Sequence, residues 1–303
     1  MGLEGEVISS KAFPTIFQIK YKIIGSPKIS ILIPNKDHVS DLSRCIVSIL
    51  TKSSYNNYEI IIIENNSEEV ETEAYYRVLK NMNKIRVIRY DGDFNYSKIN
   101  NFGRRYATGD YLLLLNNDTE VISEDWMEQL LMYAQRNDVG AVGAKLYFPD
   151  GTIQHAGVVL GLGADHTAGH IHYGTDRNNL GYMGKLYYAQ DVSAVTAACL
   201  MVSTEIYDEV NGFDESFAVA LNDVDFCLKI REKGYLNVFN PYAELYHYES
   251  KSRGRDASGE KKARYNKEAK MFKEKWAEVL SKGDPYYNPN FSLDRADYFY
   301  VGI

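Results

Sequence analysis

The chain predicts an α/β fold with a mainly parallel, mixed central sheet. Three observations carry that prediction. Short runs, ISILI at 29–33, EIIII at 59–63 and YLLLL at 111–115, are almost continuously apolar, as strands covered on both faces are. Segments of helical period separate them. Polar clusters follow all three runs, at 34–37, 64–67 and 116–118. In open α/β sheets ligands bind beyond the carboxyl ends of the strands, where the winding reverses, so these clusters are expected to converge on one site.

Each element follows in order. Pro34 ends the first strand, and Val39 to Leu50 is helical with apolar Val39, Leu42, Ile46, Ile49 and Leu50. Residues 68–80 read as helix, 85–88 as a third strand and 97–107 as helix, before Gly109-Asp110 turns the chain into YLLLL. Ser123 is positioned to cap a helix running to about Arg136, and Val139 to Val142 returns as strand. Residues 149–192 are rich in Gly and Tyr with weak alternation, and Ala194 to Val202 is a continuous buried run. Asn222 reads as the cap of DVDFCLKIREK, closed by Gly234, with short strands at 235–239 and 243–247. Residues 258–280 form a basic amphipathic helix with the stripe Tyr265, Ala269, Phe272, Trp276 and Val279. Residues 1–27 and 284–303 lack periodicity and read as surface arms. The expected organisation is an arm at 1–27, a domain at 28–250 divided near 121, and a C-terminal helix and tail at 251–303.

Composition narrows the function classes. The 303 residues are 45% hydrophobic and 25% charged, an ordinary globular balance. A net charge of −7 argues against nucleic acid, whose phosphates demand a concentrated basic surface. Cys45, Cys199 and Cys227 are odd in number and lack a C-x-x-C pair, so neither a disulfide framework nor a zinc knuckle is indicated, and a reducing, cytoplasmic setting fits. No apolar stretch approaches the ~18–20 residues of a membrane helix, and the start has no apolar core of a signal peptide. Helix 258–280, with seven Lys/Arg and four Glu, is a candidate for peripheral contact with an anionic membrane, although docking on the core is its default role. The 25 tyrosines are expected mostly in half-buried packing.

Six blocks occur in the order of one known family: ISILIPNKD at 29–37, YEIIIIENNS at 58–67, INNFGRRYATGDYLLLLNNDTEV at 99–121, TAACLMVSTEIYDEVNGFDESF at 196–217, NDVDFCLKIREKGY at 222–235, and His247. Over about 28–250 the chain resembles the inverting family-2 glycosyltransferases of GT-A fold, particularly bacterial members that build polysaccharide, rhamnosyltransferases among them. The resemblance implies transfer of a sugar from a UDP- or dTDP-sugar to a hydroxyl of a saccharide or lipid-linked saccharide acceptor. It implies Mg²⁺ or Mn²⁺ as cofactor, and cytoplasmic work, with possible attachment to the inner membrane face.

Residue by residue, Asn116-Asn117-Asp118 matches the family's D-x-D motif as an N-N-D variant. A hard divalent ion takes one or two carboxylates plus substrate phosphates, and its charge would neutralise the leaving diphosphate. With one carboxylate in place of two, metal binding without donor is expected to be weak. His247 is implied as second metal ligand. Asp223 matches the second member of the family's acidic pair and is the expected base, with Asn222 in place of the first acid; sequence alone leaves Asp225 open as its rival. At a helix start both carboxylates also suit the dipole. Pro34, Asn35 and Asp37 are expected at the nucleoside. Glu64 stands where the family has Asp, one methylene shorter, and Asn101 and Gly103 match an N-x-G at the donor wall, where Gly103 also suits close packing. Ala197 replaces a usual Gly, and NGFDE at 211–215 is expected to shape the acceptor side. HTAGHIH at 166–172 reads as a mobile acceptor-side loop rather than a zinc site, since it lacks the Glu of H-E-x-x-H. A sugar-nucleotide pyrophosphorylase is disfavoured because no glycine-rich loop follows the first strand. A degenerate binding module is supported only by the substitutions at Glu64, Asn116 and Asn222.

Overall fold

A computed structural model describes residues 3–10, 13–248 and 259–302. The N-terminal segment, although it lacks periodicity, carries a hairpin. Strands β1 (Gly5–Ser9) and β2 (Phe17–Tyr21) pair antiparallel, and the hairpin is tied down where Gln18 Nε2 donates to Gln129 Oε1 at 2.9 Å. The expected βα alternation then runs through β3 (Ile29–Asn35), α1 (Val39–Lys52), β4 (Tyr58–Glu64), α2 (Val70–Leu79), β5 (Ile85–Arg89), α3 (Tyr96–Arg104) and β6 (Tyr111–Leu115). Strands β5, β4, β3 and β6 lie side by side and parallel, so the winding reverses between β3 and β6. Their side chains are buried on both faces, with Ile31, Ile33, Ile60 and Ile62 in one core cluster and Leu32, Ile61, Ile63 and Leu112 in the other.

The second half continues the sheet in mixed sense. It comprises β7 (Thr119–Val121), α4 (Trp126–Ala134), β8 (Val139–Tyr147), β9 (Ile153–His155), β10 (Val158–Leu160), β11 (Ala168–His170), β12 (Gln190–Val192), β13 (Cys199–Ser203), α5 (Thr204–Glu209), α6 (Asn222–Glu232) and β14 (Leu236–His247). Strand β13 is antiparallel to both β6 and β8, while β14 runs parallel to β8. The result is the mainly parallel, mixed sheet that the sequence predicts, covered by helices.

Several local expectations are corrected. The two short strands at 235–239 and 243–247 are one strand, β14, which passes Pro241 through a register shift between Asn240 and Glu244. Ser123 does not cap α4, because its Oγ accepts from Glu244 N on β14 at 2.9 Å. Asn222 is the first residue of α6, and Leu221, with φ 59°, precedes it as the cap position. Of the run 194–202 only Cys199 onward is strand; 194–198 form a buried loop. The C-terminal helix breaks at Trp276 into α7 (Gly259–Lys275) and α8 (Ala277–Ser281). Its stripe docks on the core through Ala269, Phe272 and Trp276. The expected boundary at 250 and helix start at 258 lie outside the described residues.

Candidate active site

The three polar clusters meet at the carboxyl ends of β3, β4 and β6. Asn117 Nδ2 donates to Asn35 Oδ1 at 2.6 Å, Asn35 Nδ2 donates to the Tyr76 hydroxyl at 2.7 Å, and that hydroxyl donates to Glu64 Oε2 at 2.5 Å. Glu64 also accepts from Ser67 N and Ser67 Oγ at 2.5 and 2.6 Å. Asp37 Oδ1 accepts from Glu68 N and Glu69 N, at the start of α2. Pro34 lies half-buried beside Asn35 on the same strand. Burial, and then the Glu64 carboxylate, push the Tyr76 phenol above its ordinary pKa, so it stays a donor. Tyr76 was invisible as a site residue in the sequence, where it is one apolar position on an amphipathic helix.

The register of β14 brings Asp118 and His247 together. His247 pairs with Thr119 across β7, and Tyr248 N donates to Asp118 O at 2.9 Å. His247 Nε2 then lies 3.1 Å from Asp118 Oδ1, with both side chains largely buried. Asn116 Nδ2 is 3.1 Å from the same Nε2, and Gln154 Oε1 is 2.6 Å from Nδ1. All three residues of the N-N-D block are therefore engaged in one polar floor.

The loop 194–198 links this floor to the start of α6. Asn116 N donates to Ala198 O at 3.1 Å, and Ala197 N donates to Asp223 Oδ2 at 3.2 Å. Tyr96 OH donates to Ala197 O and Thr196 N donates to His155 Nε2, which fixes the loop from both sides. Asp223 is half-buried. Asp225 is fully buried and turned the other way, paired with Lys275 at 2.7 Å and accepting from Trp276 Nε1 at 2.9 Å. Asn222 Oδ1 accepts from Asp223 N, and its buried Nδ2 has no hydrogen-bond partner among the described residues.

Asn101 is engaged elsewhere. Its side chain donates to Phe213 O and Glu215 Oε1 and accepts from Phe213 N and Tyr207 OH, clamping the NGFDE turn. Gly103 sits against β4, where a Cβ would lie 2.4 Å from Ile63 Cδ1. The histidines of HTAGHIH diverge: His170 Nδ1 meets His155 Nδ1 at 3.0 Å, His166 is near Gly161 O, and His172 packs on Tyr298. Their loop contains β11, paired with β10. Cys45 lies under the Asn116–Thr119 turn, and burial, opposed by a Thr119 hydrogen bond and aided by Asp118, pushes its thiol up to about 12.

Among the described residues no group of three His, Cys, Asp or Glu is arranged to hold a metal ion. Asp118 and His247 alone nevertheless suit a hard divalent ion completed by phosphate and water. Gln154 Oε1 can only accept, so a ring proton sits on Nδ1, and Nε2 is the nitrogen that faces Asp118 Oδ1, to which it donates when protonated and beside which it ligates a cation when not.

The glycosyl transferase family 2 model matches residues 30–210. The uncharacterized protein y4gI of Sinorhizobium fredii is 44% identical over 94% of this chain and 31% of its own length. The O-antigen biosynthesis protein RfbC of Myxococcus xanthus is 36% identical over 97% of this chain and 22% of its own length. The chain thus spans less than a third of these relatives. GalNAc-T7, solved with UDP, GalNAc and Mn²⁺, superposes with a TM-score of 0.68 at 15% identity, covering 87% of this chain and 50% of that one. The mannosyltransferase PcManGT of Pyrobaculum calidifontis, solved with GDP-Man and Mn²⁺, gives 0.60 at 14% identity, over 84% and 65%. No helix among the described residues is long and apolar enough to cross a membrane. The sheet order, the site at the carboxyl ends of its strands and these matches together identify the chain as a member of glycosyl transferase family 2 with the GT-A fold.

Proposed function

We propose that the chain is an inverting glycosyltransferase that moves a sugar from a UDP- or dTDP-sugar to an acceptor hydroxyl in cell-surface polysaccharide synthesis. The observation that carries this is the contact of Asp118 with His247 on the floor that also holds Asn35 and Asn117. Likeness to a protein named for O-antigen biosynthesis supports the polysaccharide setting, and the nucleotides and Mn²⁺ of the fold's relatives support the donor class.

Pro34, Asn35, Asp37 and Glu64 bind and orient the nucleoside. The acidic side chains of this wall are already held by Ser67, Tyr76 and the α2 backbone, so the wall is preorganised. Asn116, Asn117 and Asp118 face the diphosphate, and Asp118 with His247 would hold Mg²⁺ or Mn²⁺. A bound divalent ion supplies charge neutralisation for the leaving diphosphate. Asp223 takes the proton from the acceptor hydroxyl as its oxygen attacks the anomeric carbon and the bond to the diphosphate oxygen breaks on the opposite face. Ala197 N holds Asp223 Oδ2 in orientation, and the preceding Asn222 has a buried Nδ2 with no hydrogen-bond partner among the described residues. The engagement of Asp225 by Lys275 and Trp276 supports Asp223 over its rival. Asn101 acts by shaping the acceptor side through the 211–215 turn.

Calorimetric titration with UDP and dTDP, with and without Mn²⁺, tests this. We expect tight binding only with nucleotide and metal together, weak Mn²⁺ binding alone, and loss of metal-dependent binding in D118A. A folded wild-type chain that binds neither nucleotide overturns the donor assignment.

A further inference from the structure

We propose that Gln154 is a positioning residue that fixes the tautomer of His247 and thereby sets divalent-cation affinity. The inference rests on the reading of Asp118 and His247 as metal ligands. Gln154 Oε1, 2.6 Å from His247 Nδ1, accepts but cannot donate, so the ring proton sits on Nδ1. Asn116 Nδ2 and Asp118 Oδ1 both lie 3.1 Å from Nε2, so Nε2 is the ring nitrogen that faces the polar floor. With a proton held on Nδ1, Nε2 is the nitrogen whose electron pair a cation beside Asp118 Oδ1 takes up. The opposite tautomer aims a proton at the cation position and sets the Nδ1 lone pair against the Gln154 oxygen.

The support is rigid. Gln154 is 3% exposed and lies on β9, which pairs with β8 through His155 and Leu146. Ile153 N donates to Thr175 O and Gly174 N donates to Ile153 O, both at 2.7 Å, locking the strand on its other edge. A side chain held this way transmits its orientation to the ligand it touches. Partners one step behind a metal ligand typically change affinity about 10–100-fold when removed.

The test measures Mn²⁺ affinity in the presence of UDP, from the free-ion electron paramagnetic resonance signal, in wild type, Q154L, Q154E and H247A. The tautomer is read separately from the ring ¹⁵N shifts of His247 in metal-free protein. Q154L is expected to weaken Mn²⁺ by about 10–100-fold and to move His247 toward the Nε2–H form. Q154E, which keeps an acceptor oxygen, is expected to restore both. Wild-type Mn²⁺ affinity in Q154L, with affinity lost in H247A, overturns the role of Gln154 and leaves the metal reading standing. Unchanged affinity in H247A, or no Mn²⁺ binding by wild type with UDP or dTDP, overturns both. A Q154E as weak as Q154L, with melting temperatures matching wild type, assigns Gln154 a packing role and also overturns the proposal.

Discussion

Asp223 and Asp225 lie two residues apart on α6, yet their surroundings give them different work. Asp223 is half-buried and held by backbone N–H groups, while Asp225 is sealed beneath Lys275 and Trp276. D223N is therefore expected to lower kcat by about 10²–10⁴-fold, with nucleotide affinity in the same titration unchanged. D225A is expected to act on stability instead. Removing one partner of a buried pair costs about 3–5 kcal/mol, and a figure of about 2–4 suits a Lys275 that is partly exposed; urea unfolding measures it. A third carboxylate, Glu59, lies at the opposite end of the strands. Burial alone would raise its pKa, but hydrogen bonds from Ser30, Thr108 and Lys28 outweigh it and bring the value down to about 2. Its folded pKa thus lies below its unfolded value near 4.5, so its stabilisation is present above that pH and is lost as pH falls toward about 2. E59Q should flatten the acid limb of the stability profile over that window, and an unaltered slope would remove Glu59 from the account.

At the scale of elements, β8 and the 194–198 loop fit because Gly143 carries no side chain. A Cβ there would lie 2.4 Å from Val195 Cβ, an atom with little freedom to move. G143A is expected to destabilise by about 1–3 kcal/mol and to shift the loop whose Ala197 N–H orients Asp223. Reduced kcat with nucleotide affinity intact is the expected signature; a variant as stable and active as wild type would show that the loop repacks freely. Strand β14 shows the same dependence on neighbours. Asn240 Nδ2 donates to Gln129 O and its Oδ1 accepts from Tyr242 N, which satisfies the backbone around Pro241 and lets the strand run on to His247.

Across the whole molecule, the C-terminal helix braces the segment that leads into α6. Glu268 of α7, nearly fully buried, accepts from Ala218 N and Ala220 N at 3.0 and 2.7 Å, and Lys275 bridges Asp214 and Asp225. These contacts hold the turn that leads through Leu221, at φ 59°, into the α6 start. E268A should leave metal-dependent UDP binding unchanged while lowering kcat, because α7 holds the 218–220 turn and the start of α6, whereas the nucleotide wall is built on β3, β4 and α2. Equal loss of both would mean that the two sides of the site are not separable.

The βα alternation, the buried parallel strands, and the convergence of residues 34–37, 64–67 and 116–118 at their carboxyl ends were legible in the residue pattern. Those features follow from local period and from chain direction in a covered sheet, which any apolar run of strand length must obey. The sequence also named Asp118, His247 and Asp223 through ordered blocks. The partners of these groups came from packing between distant segments. Tyr76 joins Asn35 to Glu64, Gln154 meets His247, and Lys275 claims Asp225 from 50 residues away in the chain. Asn222 and Ser123 carry cap-forming side chains, yet Leu221 takes the cap position and Ser123 Oγ serves β14. A side-chain hydrogen bond depends on which backbone and side-chain groups burial brings within 3 Å, and that is a property of packing between distant segments rather than of spacing along the chain.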